Sequence, residues 1–453
     1  MKRKIYQKLM DWKNTFNGKS ALLIEGARRV GKSYIVKEFA KNEYKSYVLI
    51  DFKEGGNALE PLKDILRGNL KNLDEFFLFL KFYSGVELFE RNTLIIFDEV
   101  QDFPRAREAI KFLVQDGRYD YIETGSLISI KENVKEIQIP SEEIAISLNP
   151  MDFEEFLWAV GQESLWEIIK YCYNKQKPLG QEMHRNAMLW FRKYLIIGGM
   201  PQAVEKFVET LDFIQADIIK RQILQLYRND VKKHDMINNT HCSRIFENIP
   251  SQLMKHEKRF TLSTIDKNTT YNRVQDDFFW LKDSKIVNII YNSHEPNVGL
   301  NLTRDGNSLK CYMGDTGLLI SMAFEESRKL NTELYRALLY DNLNINEGMI
   351  IENIVAQMLI ATERTPYYFS RSSRDNSQDT MEIDFLITKG LLTAKHNIHP
   401  IEVKSGTNYT FNSLNKFTTK FASYLSTPYI IHEKDYKLEN GIIFLPIYMT
   451  PLL

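Results

Sequence analysis

Eight residues, Gly26-Ala27-Arg28-Arg29-Val30-Gly31-Lys32-Ser33, constrain this chain more than any other stretch. They fit G-x-x-x-x-G-K-[ST], a pattern in which a glycine-rich turn aims successive backbone N–H groups at phosphate oxygens. Gly26 and Gly31 let the backbone turn that tightly. The apolar run Ala21-Leu22-Leu23-Ile24 before the loop reads as a strand, and Tyr34 to Lys41 after it as a helix with Val36, Phe39 and Ala40 on one face. Such a helix points the positive end of its dipole at the loop. The pattern predicts a nucleotide cradle made of Gly26, Ala27, Arg28, Arg29, Val30, Gly31, Lys32, Ser33 and Tyr34. Lys32 is expected to reach the outer phosphates and the Ser33 hydroxyl to ligate the Mg2+ of ATP.

The residues that follow agree with a buried parallel sheet. Ser46 to Phe52 reads as a strand, Leu73 to Tyr83 as an apolar helix, and Thr93-Leu94-Ile95-Ile96-Phe97 as a wholly apolar strand ending in Asp98-Glu99. That is the Walker B pattern. Ligands of open α/β sheets sit at such carboxyl ends. Asp98 is expected to hold Mg2+, and Glu99 to polarise the water that attacks the γ-phosphate. Pro104 to Gln115 reads as a helix opened by a first-turn proline. Tyr119 to Ser126 reads as the next strand, with Thr124, or else Ser126, as the polar residue orienting that water. Glu143 to Leu148 supplies a fifth strand. The strand Ser46–Phe52 is inserted between the Walker A and Walker B strands. That order marks ATPases with an added catalytic glutamate rather than nucleoside kinases.

Composition sets the outer limits. At 453 residues the chain has room for about three domains, at roughly 150 residues each. Its formal net charge is zero, so any DNA contact must come from local patches rather than from bulk charge. Cys172, Cys242 and Cys311 lie far apart, which excludes a cysteine-rich zinc module and a disulfide framework. The first sixteen residues are charged throughout, unlike a signal peptide, and the densest apolar run, Phe76 to Leu80, is cut by Lys81. The expectation is a cytoplasmic protein with no membrane span.

Taken together, the loop, Asp98-Glu99-Val100-Gln101, Thr124-Gly125-Ser126 and Asn149-Pro150-Met151-Asp152-Phe153-Glu154-Glu155-Phe156 resemble a bacterial and archaeal family of AAA-like ATPases. Further matches are Gly198-Gly199-Met200-Pro201, Leu226 to Asp230, Asp315 to Leu319 and Ile401 to Gly406, so the likeness runs over almost the whole chain. The resemblance implies an α/β fold: a P-loop ATPase core (1–157), a helical lid (158–238), a winged helix (239–330) and a C-terminal restriction-nuclease-like domain (331–453).

The middle segments are read accordingly. Phe153–Val160, Leu165–Tyr173, Met183–Ile196 and Leu211–Tyr227 read as lid helices, interrupted by the Gly198-Gly199 turn. Arg221 and Arg228 are candidates for contacting the γ-phosphate, from the same chain or a neighbour; the competing and favoured reading is a solvated or salt-bridged helical arginine, and no arginine finger is assigned. Helices at Arg244–Lys255, Thr261–Ile265 and Tyr271–Lys282, with strands Lys285–Tyr291 and Leu309–Met313 as the wing, complete the winged-helix reading. Ten Lys and Arg against nine Asp and Glu over 242–324 give a net charge of +1, poor for phosphate binding, and leave a DNA reader and a packing module as the two readings of this segment.

The last segment carries a second pattern. Met381 to Ile387 and His399 to Ser405 read as strands, and Glu402 and Lys404, two apart, share a face. Asp384, Glu402 and Lys404 match the D…E-x-K trio of restriction-type nucleases, and Glu352 resembles the extra acid on the first helix of that fold. Such a trio places two carboxylates on Mg2+ and a lysine beside the attacked phosphate. E-x-K alone says little, since Glu43-Tyr44-Lys45 has it as well. Three uses of this chain follow: an ATP-hydrolysing switch or motor, an ATP-regulated DNA endonuclease, or an ATP-gated module that docks DNA or protein. A homo-oligomer is compatible with each.

Overall fold

The computed structural model describes every residue except 69–72, 127–136, 256, 268, 298, 326–331, 341–347, 373–379, 390–395 and 407–408, together with the side chains of 332–334 and 340. It forms two compact units, 1–149 with 283–285, and 150–282 with 286–453.

In the first unit β1 (Ala21–Glu25), β2 (Ser46–Asp51), β3 (Thr93–Asp98), β4 (Asp120–Gly125) and β5 (Glu143–Ser147) pair in parallel, in the order β2-β3-β4-β1-β5. Strand alternation sorts side chains to two faces. Leu22 and Ile24 pack with Leu94, Ile96 and Ile122 against helices Ile5–Phe16 and Lys32–Glu43, through Leu9, Trp12, Val36 and Phe39. Leu23, Ile95, Phe97 and Tyr121 face the other way, against Phe76, Leu80, Ile110 and Leu113 of helices Leu73–Ser84 and Arg105–Asp116. Every residue of β3 is buried, as its apolar run requires. Along the chain β2 does fall between β1 and β3. In the sheet it is the edge strand, and β4 is the one that separates β1 from β3. This corrects the reading of Ser46–Phe52 as the inserted strand, since chain order does not specify sheet order.

The second unit begins with helices Phe153–Ala159, Glu163–Asn174, Gln181–Ile197, Pro201–Thr210, Phe213–Asn238 and Cys242–Leu253. Pro201–Thr210 is absent from the sequence reading; Pro201 opens it from the first-turn position, the place where proline suits a helix. Asp152 caps the first helix in a capping box with Glu155.

Among the described residues its sheet has eight strands: β6 (Val287–Ser293), β7 (Arg304–Met313), β8 (Tyr367–Arg371), β9 (Met381–Thr388), β10 (Ile398–Val403), β11 (Tyr429–His432), β12 (Lys437–Glu439) and β13 (Ile442–Pro446). Their order is β12-β13-β11-β10-β9-β8-β6-β7. The strands expected to form a wing, β6 and β7, do pair antiparallel. They also join the last sheet, since Asn292 of β6 pairs with Tyr368 of β8. The expected second winged-helix helix is a single 3-10 turn, Leu262–Thr264.

Three of the short motifs meet at one point. Met151 N donates to the Gly199 carbonyl at 2.7 Å, and Gly199 N donates to Asp315 Oδ2 at 2.6 Å. Asp315 Oδ1 accepts from Leu318 N at 2.9 Å and so caps helix Thr316–Ala323. A Cβ on Gly199 would stand 2.7 Å from the Met151 nitrogen, so only glycine fits. Arg221 binds Asp217 at 2.6 Å, and Arg228 binds Glu247 at 2.8 Å and Glu325 at 2.6 Å, in keeping with the ion-pair reading. The three cysteines are buried and free. No helix among the described residues is long and apolar enough to cross a membrane.

Candidate functional site

The loop between β1 and helix Lys32–Glu43 is shaped by its glycines. Gly31 has φ +99°, and a Cβ on Gly26 would meet the Leu148 carbonyl oxygen at 2.5 Å. Gly31 is the helix N-cap and carries no side chain to occupy the first-turn N–H groups. Ala27 and Val30 are buried, Arg28 is half-buried, and Arg29, at φ +68°, and Tyr34 are exposed. Lys32 is 6% exposed and donates to the carbonyls of Gly26 at 2.8 Å and Ala27 at 2.9 Å. Its ammonium is therefore folded back onto the loop.

At the carboxyl end of the sheet Asp98 Oδ1 accepts from Ser33 Oγ at 3.0 Å and from Thr124 Oγ1. Parallel pairing explains the meeting: β4 stands between β1 and β3, so its end falls between the loop and the Asp98 carboxylate. Glu99 follows with φ +54°, a left-handed conformation that a non-glycine residue adopts only at a cost and that clusters at functional sites. Its carboxylate accepts from the Gln101 amide. Ser126, the residue after β4, is buried. Ser33 and Asp98 are thus a fitting pair of oxygen donors for the Mg2+ of a nucleotide.

One positioning residue escapes the sequence. Arg3 is 7% exposed and donates to the Val30 carbonyl at 3.1 Å and the Asn149 carbonyl at 2.7 Å. It ties the phosphate loop to the segment after β5. Nothing in local spacing signals this, since Arg3 lies outside every motif. Arg3→Ala is expected to weaken ATP binding about tenfold, the value of one hydrogen bond to a charged group at about 1.5 kcal/mol. Equilibrium binding of a fluorescent ATP analogue checks it; unchanged affinity would contradict the positioning role.

Burial pushes the Lys32 ammonium down from 10.5 to about 8, against the pull of Glu99 and Asp98. Between those two values the unfolded chain holds the extra proton, so this group makes the nucleotide-free fold gain stability as pH rises from about 8 to 10.5. Bound phosphates restore the charged form. ATP binding is therefore expected to take up close to one proton at about pH 9 and almost none at about pH 7. Calorimetry in buffers of different ionisation enthalpy reads this uptake, and it should vanish in Lys32→Met.

In the second unit Asp384 of β9 accepts at 2.8 Å from the N–H of Val403, which ends β10 and lies between Glu402 and Lys404 in the chain. Lys404 pairs with Glu402 at 2.6 Å, and Glu402 Oε2 is buried without a partner. Glu352, on helix Gly348–Ala361, joins the group through a residue that sequence reasoning missed. Lys310 of β7 lies 3.2 Å from Glu352 Oε1, 2.9 Å from Glu382 Oε1 and 3.8 Å from Asp384 Oδ1. Lys258 and the Tyr312 hydroxyl also donate to Glu352. Burial pushes the Glu352 carboxyl up, but Lys310 and Lys258 outweigh it and hold the group at about 2. Burial, then Glu352, pushes Asp384 up to about 7.

Residues 18–157 match the family model described as an AAA domain. This part of the chain is an AAA-type P-loop ATPase domain. Residues 188–329 match a Domain of unknown function (DUF8612), and residues 347–450 a Domain of unknown function (DUF4143). No curated protein matches the chain. Similar solved structures include a Walker-type ATPase of Pyrococcus abyssi, 15% identical, covering 71% of this chain and 95% of that one at a TM-score of 0.42. The ORC1 protein of Aeropyrum pernix in complex with DNA is 10% identical over 72% of this chain and 93% of that one, at a TM-score of 0.28. Cdc6p from Pyrobaculum aerophilum is 13% identical over 75% and 94%, at 0.26.

Proposed function

We propose that the chain is an ATP-hydrolysing switch or motor whose nucleotide state is relayed to its C-terminal sheet. The observation that carries this reading is the convergence of Lys32, Ser33, Asp98 and Thr124 at one end of the parallel sheet, with Glu99 at its rim. Lys32 and the loop amides hold the phosphates, leaving the Gly26 and Ala27 carbonyls to do so. Ser33 and Asp98 hold Mg2+, which neutralises charge on the phosphates when bound. Glu99 takes a proton from the attacking water, and Thr124 orients that water. The helices after residue 152 serve as the lid expected of AAA-like ATPases, and the strand set around Asp384 and Glu402 serves as a nuclease-like scaffold.

Phosphate release from ATP by the purified full chain tests this. Wild type is expected to turn over ATP with Mg2+, and Lys32→Ala to lose nucleotide binding and turnover together. Absence of turnover in the wild type, with ATP bound, would leave a binding module in place of a motor. An ATP-licensed endonuclease using Glu352, Asp384, Glu402 and Lys404 is the alternative, supported by the Val403 amide that sets Asp384 beside the E-x-K pair. It requires DNA cleavage that Asp384→Ala removes while ATP turnover survives.

A further inference from the structure

On the nuclease-like reading of the C-terminal sheet, the acidic group around Asp384 would be the place of a divalent metal, and its residues fit such an ion poorly. Glu352 is saturated. Its Oε1 accepts from Lys310 and Tyr312, and its Oε2 from Lys258. One oxygen of Asp384 is taken by the Val403 amide at 2.8 Å, and the other faces Lys310 at 3.8 Å. Glu382, also on β9, is paired with Lys310 at 2.9 Å. The Lys310 side chain is 1% exposed and therefore makes these contacts in place of water. It is held there by its strand. Ser308, Lys310 and Tyr312 alternate along β7 and share a face, Ser308 bonding the Tyr368 hydroxyl at 2.7 Å and Tyr312 bonding Glu352. Among the described residues, no group of three or more His, Cys, Asp or Glu is arranged to hold a metal ion. Within this group Glu402 Oε2 is buried without a hydrogen-bond partner, a single donor.

We infer that the Lys310 ammonium is the resident cation of this centre, standing where a D…E-x-K nuclease holds its divalent ion, and that the domain does not perform metal-dependent phosphodiester cleavage. Two ammonium groups, Lys310 and Lys258, already face the three carboxylates Glu352, Glu382 and Asp384. A divalent ion would have to enter within a few ångströms of an ammonium whose side chain is 1% exposed and already paired with these carboxylates. Buried carboxylates need partners of opposite charge, and here the chain supplies its own. The inference is independent of the ATPase reading and removes the endonuclease alternative.

The test titrates Mn2+ into the nucleotide-free full chain, counting bound ions by electron paramagnetic resonance, for wild type, Asp384→Asn, Lys310→Met and the double variant. Wild type and Asp384→Asn are expected to bind the same number of ions. Lys310→Met is expected to gain one, and the double variant to lose it again. An ion bound by wild type and lost in Asp384→Asn overturns the inference, as does a folded Lys310→Met that gains none. If Lys310→Met does not fold, the wild-type comparison still decides, together with DNA cleavage in Mg2+: cleavage abolished by Asp384→Asn overturns the inference, and no cleavage supports it.

Discussion

Glu99→Gln is expected to bind ATP as wild type does and to hydrolyse it on the order of 10²–10⁴ times more slowly, the usual contribution of a positioned general base. The substitution keeps the size and planarity of the side chain and its reach to Gln101, so the left-handed turn at φ +54° has no new reason to relax. It removes the basic oxygen. The glutamate stands one residue beyond Asp98, at the end of a strand buried on both faces, and β4 brings Thr124 to the same place. Single-turnover phosphate release at saturating ATP separates the chemical step from binding. A rate within a few fold of wild type would move the role of base to another group, and a loss of ATP affinity would make Glu99 a binding residue.

Gly199→Ala is expected to destabilise the second unit by about 3 kcal/mol, the upper part of the range for overpacking a filled site. The new methyl would stand 2.7 Å from the Met151 nitrogen and 2.9 Å from its carbonyl carbon, and backbone cannot yield as a side-chain tip can. Relief would break the Met151–Gly199 and Gly199–Asp315 hydrogen bonds, with the latter anchoring the cap of helix Thr316–Ala323. Gly306→Ala, with nothing within 4 Å of the added Cβ, is the matched control and should change stability by less than about 0.5 kcal/mol. Urea unfolding of the two variants and wild type measures the difference. Equal midpoints for Gly199→Ala and the control would show that the close approach is not needed.

The ATPase half was legible because its signals are local. A phosphate loop needs two glycines, a lysine and a hydroxyl at set spacing, and a buried parallel strand needs an unbroken apolar run, so Gly26 to Ser33 and Thr93 to Glu99 announce themselves. The short motifs of the second half were legible as motifs but not as a structure. Gly198-Gly199, Met151 and Asp315 are far apart along the chain, and only the fold reveals that they form one junction. Pro201–Thr210 escaped because its helical face is short, and the wing was expected because two strands after three helices suggest one locally.

What the sequence by itself determined is the chemistry available: a nucleotide cradle, an Asp-Glu pair after an apolar strand, and a D…E-x-K pattern near the end. These follow from residue type and spacing within a few turns of chain. What only the tertiary structure decided is which distant groups share a site. It set β4, not β2, between the loop and Asp98, tied Arg3 to Val30, and brought Lys310 to Asp384 and Glu352. The physical reason is that sheet order and side-chain convergence depend on long-range strand pairing and burial, and a buried charge finds its partner in space, not along the chain.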